Sequence, residues 1–100
     1  MEKENRLEEF REFLLDRNYS ERSCSHYLFS LQKFFNYLDS RKVTEINFGH
    51  IEDYNYDFFV SGRYSRSYQL QFINALSLYL EFERGVKVNL KSLRLPLSRR

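Results

Sequence analysis

The stretch "YSERSCSHYLFSLQKFFNYL", residues 19–38, decides the fold. Cys24, Tyr27, Leu28, Leu31, Phe34, Phe35 and Leu38 recur at three- and four-residue intervals, the spacing that collects side chains on one face of an α-helix. The stripe lasts four turns and predicts a helix buried along one side. Ser20 is its expected N-cap, because a serine hydroxyl accepts a free amide of the first turn. The opening turns are unusual. Ser20, Arg22, Ser23, Ser25 and His26 mix poor helix formers with hydrogen-bond donors. A second stretch, "YSRSYQLQFINAL" at residues 64–76, begins almost the same way.

Outward from this helix, three more can be read. Upstream, Leu7, Phe10, Phe13 and Leu14 form one stripe, with Glu8, Glu9, Arg11 and Glu12 facing away and Asn18 as a stop suited to left-handed geometry. Downstream, "DSRK" at residues 39–42 ends the second helix. Val43 and Ile46 belong to an ordered connection, and Asn47 can cap a third helix carrying Ile51, Tyr54, Phe58 and Phe59. "SGR" at residues 61–63 is the exit from that helix. Ser65 can cap a fourth, whose stripe is Tyr68, Phe72, Ala75, Leu76, Tyr79 and Phe82, with Gly85 just past its end. The remainder, "KVNLKSLRLPLSRR" at residues 87–100, has no helical period and reads as an extended tail. Strand signals are weak throughout. The class is therefore all-α, with short connections implying antiparallel neighbours.

The 100 residues make one domain, large enough to bury a core. The lone Cys24 has no partner for an internal disulfide and lies on the apolar stripe, where a small core residue is the expected role. No run of about 18 apolar residues exists, so no membrane span is expected, and an intracellular reducing compartment is the default. Net charge is +2, unevenly spread. Residues 1–21 carry seven acids against four bases, whereas residues 84–100 carry six bases and no acid. Such a basic end suits an anionic partner or a solvated terminus.

Enzyme chemistry finds little support. One cysteine and two distant histidines, His26 and His50, give no metal-ligand spacing, and three scattered glycines give no phosphate loop. No cofactor is expected. "EDYNYD" at residues 52–57 gathers three carboxylates on what reads as a solvated helix face.

The outer faces are more informative. At 100° per residue, the side of the second helix away from its core stripe holds Arg22, His26, Phe29 and Lys33, flanked by Ser25 and Asn36. On the fourth helix the corresponding side holds Arg66, Ser67, Leu70, Asn74 and Ser77, with Gln71 at the margin. Neither face carries an acid until Glu81. Arginine, serine, asparagine and glutamine are the usual partners of phosphates and base edges, and helix N-termini favour anions. Serines also simply start helices, which accounts for Ser20 and Ser65. Two readings stay open on these residues: nucleic-acid binding, or a helical protein–protein interaction module using exposed Phe29, Leu70 and the acidic first helix.

The order of these pieces resembles the N-terminal core-binding, or SAM-like, domain of tyrosine recombinases of the phage-integrase type. The resemblance rests on residues 7–38, on "TEINFGHIEDYNYDFF" at 44–59 and on "YSRSYQLQFINALSLYLEFERGV" at 64–86. Within them, Tyr19–Ser20 with Ser23 and Tyr27, Ile46 with Ile51–Tyr54, and Ile73–Leu76 match the family pattern. It departs at Gln71 and Ser77, where family members often carry Arg or Lys, and in having Pro96 well after the last helix instead of an Asn-Pro. The resemblance implies a compact four-helix orthogonal bundle over residues 1–88, and a basic linker over 89–100 leading toward a catalytic domain that is absent here. It implies double-stranded DNA as partner, gripped on one face of a recombination core site, with no catalysis by this part. Further implied partners are the catalytic domain of the same recombinase and other protomers in a tetramer on DNA, but no membrane. The setting would be the bacterial cytoplasm, at the nucleoid. The expected DNA-binding residues are Arg22, Ser23, His26 and Lys33 on the second helix, and Ser65, Arg66, Ser67, Gln71 and Asn74 at the fourth. Arg22, Lys33 and Arg66 would hold phosphates, the serines would support them, and Gln71 and Asn74 would meet base edges.

Overall fold

A computed structural model describes residues 2–90 and Pro96, with side chains from Arg6 onward. Four helices follow one another: α1 (Glu2–Asp16), α2 (Glu21–Ser40), α3 (Phe48–Asn55) and α4 (Arg66–Arg84), with a π-helical turn, Tyr56–Val60, prolonging α3. No strand occurs among the described residues. The protein is an all-α four-helix bundle.

Local chemistry sets each boundary. Asn18 adopts a left-handed φ of 69°; the Tyr19 amide then reaches back to the Leu14 carbonyl at 3.1 Å and the Asn18 amide to Leu15 at 3.0 Å, closing α1. The same closure ends α2: Lys42 sits at φ 57°, and the Val43 amide donates to Leu38 at 2.9 Å. Gly85, at φ 75°, ends α4 through a 2.8 Å bond from its amide to the Glu81 carbonyl. At the N-termini, the hydroxyls of Ser20 and Ser65 accept from the amides of Ser23 and Tyr68, each at 3.1 Å, and the Asn47 carboxamide oxygen accepts from His50 at 3.0 Å. All three caps follow the sequence expectation.

The core is a continuous set of aromatic and aliphatic side chains. Tyr54 of α3 stands at the centre of one half, with ring centroids of Phe34, Tyr37, Phe58 and Phe72 within 4.9–5.0 Å. In the other half, Phe10 of α1 meets Tyr79 and Phe82 of α4, and Tyr79 meets Phe35 of α2 edge-on at 5.3 Å. Mutual edge-to-face packing of this kind adds to the burial of large apolar area. Cys24 is fully buried, as its stripe predicts. α2 and α4 lie side by side through the middle, α1 covers one end, and α3 with its π turn covers the other.

The π turn was not expected. The segment reads as plain helix in sequence, yet the Ser61 amide donates to the Tyr56 carbonyl five residues back, at 3.1 Å. The wide turn buries Phe59 while Phe58 stacks on Tyr64 at 5.6 Å. Past α4, Val88 packs against the core, Leu90 is 1% exposed, and the Pro96 carbonyl meets the α3–α4 junction. The remaining tail positions, 91–95 and 97–100, lie outside the described residues.

Candidate nucleic-acid interface

The outer faces of α2 and α4 adjoin. Gln71 of α4 fixes their register: its side-chain amide donates to the His26 carbonyl at 3.0 Å and to the Ser30 hydroxyl at 2.7 Å. Ser30 in turn donates to the same His26 carbonyl at 3.1 Å. Ser30 is fully buried, so a polar seam, unseen in the hydrophobic pattern, joins the two helices. Beside it the Tyr68 hydroxyl is buried with no hydrogen-bond partner among the described residues, and burial pushes its phenol pKa up.

Around this seam the expected site residues are distributed as follows. Arg22 and His26 are exposed on α2, with Ser23 half-buried between them and accepting a 3.1 Å bond from the Ser20 hydroxyl. Ser65, Arg66, Ser67 and Asn74 are exposed along α4. Gln71 is only half-exposed, and its amide nitrogen is already committed to α2. Asn74 borders a shallow hollow shared with Ser77, Glu81, Lys87 and Asn89. Lys33 is half-buried, with its ammonium 5.2 Å from the Phe29 ring centroid and 5.6 Å from that of Tyr64. This cation–π pairing holds the charge near the surface without an acid. Phe29 itself is 56% exposed and Leu70 37%.

The charges sort by region. Arg6 contacts Glu9 at 3.2 Å and Glu83 at 4.0 Å, Arg17 meets Glu81 at 2.6 Å, and Arg41 meets Asp57 at 3.1 Å. Arg11 grips both oxygens of Glu21 at 2.7 Å, which occupies the one carboxylate in the first turn of α2. On the α2–α4 face, by contrast, Arg22 and Arg66 have no acidic partner among the described residues. Arg63, just before the Ser65 cap, lies over Phe58 at 5.5 Å. The face therefore presents cations that the protein itself does not neutralise.

Among the described residues no cluster of histidine, cysteine and carboxylate side chains could hold a metal ion, and no helix is long and apolar enough to cross a membrane. A groove on a different side is lined by Phe35, Leu38, Val43 and Tyr79, with Arg6 and Glu83 beside them. In it the Tyr79 hydroxyl donates to the Glu83 carboxylate at 3.3 Å.

The site is thus an acid-free face spanning two adjacent helices, α2 and α4, of a small helical domain. The family model described as the phage integrase N-terminal SAM-like domain matches residues 7–91. The chain belongs to that family, which the sequence resemblance had pointed to. Neither the curated proteins nor the solved structures returned a match.

Sequence reasoning missed Ser30, the α2-bound state of Gln71, and the aromatic seat of Lys33. Ser30 lies beside the apolar stripe of α2 and its burial shows only in the assembled bundle. The Gln71 contact depends on how two helices meet, which no single periodicity encodes, whereas Phe29 and Lys33 are an i, i+4 pair that helical spacing itself brings together.

Proposed function

We propose that the chain binds duplex DNA as the core-binding part of a tyrosine recombinase, resting on one face of the recombination site while the reacting groups belong to a separate catalytic domain. One observation carries the reading: Arg22 and Arg66 stand without acids on the shared α2–α4 face, while Arg6, Arg11, Arg17 and Arg41 are each paired. Unneutralised cations release counterions when they meet phosphates, which supplies most of the affinity of such encounters. Arg22, Lys33 and Arg66 hold phosphates in this reading. Ser23, Ser65 and Ser67 add hydroxyls beside the amide-rich helix starts. Asn74, exposed on α4, can pair bidentately with an adenine edge, whereas Gln71 offers its carboxamide oxygen while its nitrogen stays on α2. His26 lies between the two sets. The basic segment after α4 leads to the catalytic domain, and other protomers of a tetramer assemble around the same DNA in the cytoplasm.

A salt titration on duplex DNA with the double variant Arg22→Glu, Arg66→Glu tests this. Removing two phosphate-holding cations should flatten the slope of log affinity against log salt by about 2 and weaken binding at low salt by roughly 100-fold. Unchanged affinity and slope would sink the assignment. A protein-interaction surface is the second reading, favoured by the exposure of Phe29 and Leu70. It predicts salt-insensitive association that Phe29→Ser abolishes.

A further inference from the structure

The hydrophobic pattern of α3 and α4 is broken at two positions. Asn55 and Gln69 are both fully buried, although each carries a primary amide. Buried amides persist only where their hydrogen bonds are met. Here the Gln69 side-chain nitrogen donates to the Asn55 carboxamide oxygen at 2.7 Å and to the Pro96 carbonyl at 2.8 Å. The Asn55 nitrogen donates to the same Pro96 carbonyl, also at 2.8 Å. The three groups form a closed ring, and both lone pairs of one backbone carbonyl are used.

We propose that Asn55 and Gln69 form a dock for the chain's own C-terminal segment, gripping it at Pro96 and setting where the polypeptide departs from the helical domain. The bonds reach across 41 and 27 residues, so they close a long loop rather than cap a local turn. The geometry selects an acceptor: two donors converge on one oxygen. Proline suits the position because its carbonyl is its sole backbone hydrogen-bonding group, and its fixed φ reduces the freedom lost on docking. Leu90, 1% exposed, anchors the same segment six residues earlier. The chain thus does not leave from the end of α4 at Gly85. It returns to the junction of α3 with the first turns of α4, and Gln69 stands one turn from Arg66. The Pro96 carbonyl therefore sits beside the N-terminal part of α4. The dock itself does not depend on what that face binds.

Pro96 is the only proline, so labelling with carbonyl-13C proline yields a single reporter signal from the full chain. The expected spectrum places this carbonyl away from its position in denaturant, with a correlation through the hydrogen bond to the Gln69 side-chain nitrogen. Gln69→Leu should erase the correlation and move the signal part of the way to the denatured position, Asn55→Leu should move it likewise, and the double variant should return it fully. A native signal at the denatured position overturns the dock, as does one that Gln69→Leu leaves unmoved. Should a leucine variant fail to fold, the through-bond correlation in the unmodified chain decides: its presence supports the dock and its absence removes it.

Discussion

Two sides of this molecule treat their cations differently. Where α1 lies against α2 and the later turns of α4, every described arginine of α1 and its exit is matched by a carboxylate: Arg6 by Glu9 and Glu83, Arg11 by Glu21, Arg17 by Glu81. Along the outer α2–α4 face the cations are left bare or laid on rings. Both sides are built on the same aromatic core, so the contrast is not one of packing. Exposed ion pairs contribute little to stability, commonly under about 1 kcal/mol. Their effect on the α1 side is to cancel charge. That leaves Arg22 and Arg66 on the α2–α4 face as cations without an acidic partner among the described residues, available to meet an anion.

Perturbations of each side should separate these roles. The largest effect belongs to the core beneath the paired side: Tyr79→Ala, which removes a ring packed on Phe10, Phe35 and Phe82, should cost about 3–4 kcal/mol in a denaturant titration. The salt slope of DNA binding by the folded fraction should not change. A slope that moved would blur the division between the two sides.

Alkaline pH probes the core at two places, Tyr79 on the paired side and Tyr37 where α2 meets the π turn. Burial pushes the phenols of Tyr37 and Tyr79 up to about 12, helped at Tyr37 by its bond to Asp57 and at Tyr79 by the charge of Glu83. The folded chain keeps these protons to about pH 12, whereas the unfolded chain releases them near an ordinary value of about 10. Stability is therefore full below about pH 10 and falls as pH rises through 12. Thermal melts of Tyr37→Phe and Tyr79→Phe should each show a shallower alkaline decline.

Lys33→Met tests the face directly. It keeps the stem packed but deletes the charge between Phe29 and Tyr64, with a stability change of about 0.5–1 kcal/mol. The DNA salt slope should fall by about 1. The smallest effect is expected from Arg17→Ala, a paired cation. Melting should register a loss of about 0.5 kcal/mol, and DNA affinity should hold within about twofold.

The helices were legible because each is stated locally. Ser20, Asn47 and Ser65 announce starts, Asn18 and Gly85 announce ends, and the stripe from Cys24 to Leu38 is long enough to fix one buried face. The outward placement of Arg22, His26, Arg66 and Asn74 follows from the same wheel. What stayed hidden depends on elements meeting. Gln71 looked marginal on its own helix, and only the proximity of α2 turns its amide inward to His26 and Ser30. The burial of Asn55 and Gln69 depends on an acceptor far along the chain. The π turn changes hydrogen bonding without changing which residues are apolar, so composition carries no trace of it.

Cys24 gives the molecule a built-in clock. It is the single thiol of the chain, wholly enclosed near the start of α2, and burial raises its pKa. A thiol reagent can reach it only in molecules whose α2 has come away from the bundle, so the labelling rate counts openings. Any ligand that grips the neighbouring outer face of α2 must slow that count in proportion to how tightly it binds. Occupancy of the front of the helix becomes readable from its back, without a label on either partner.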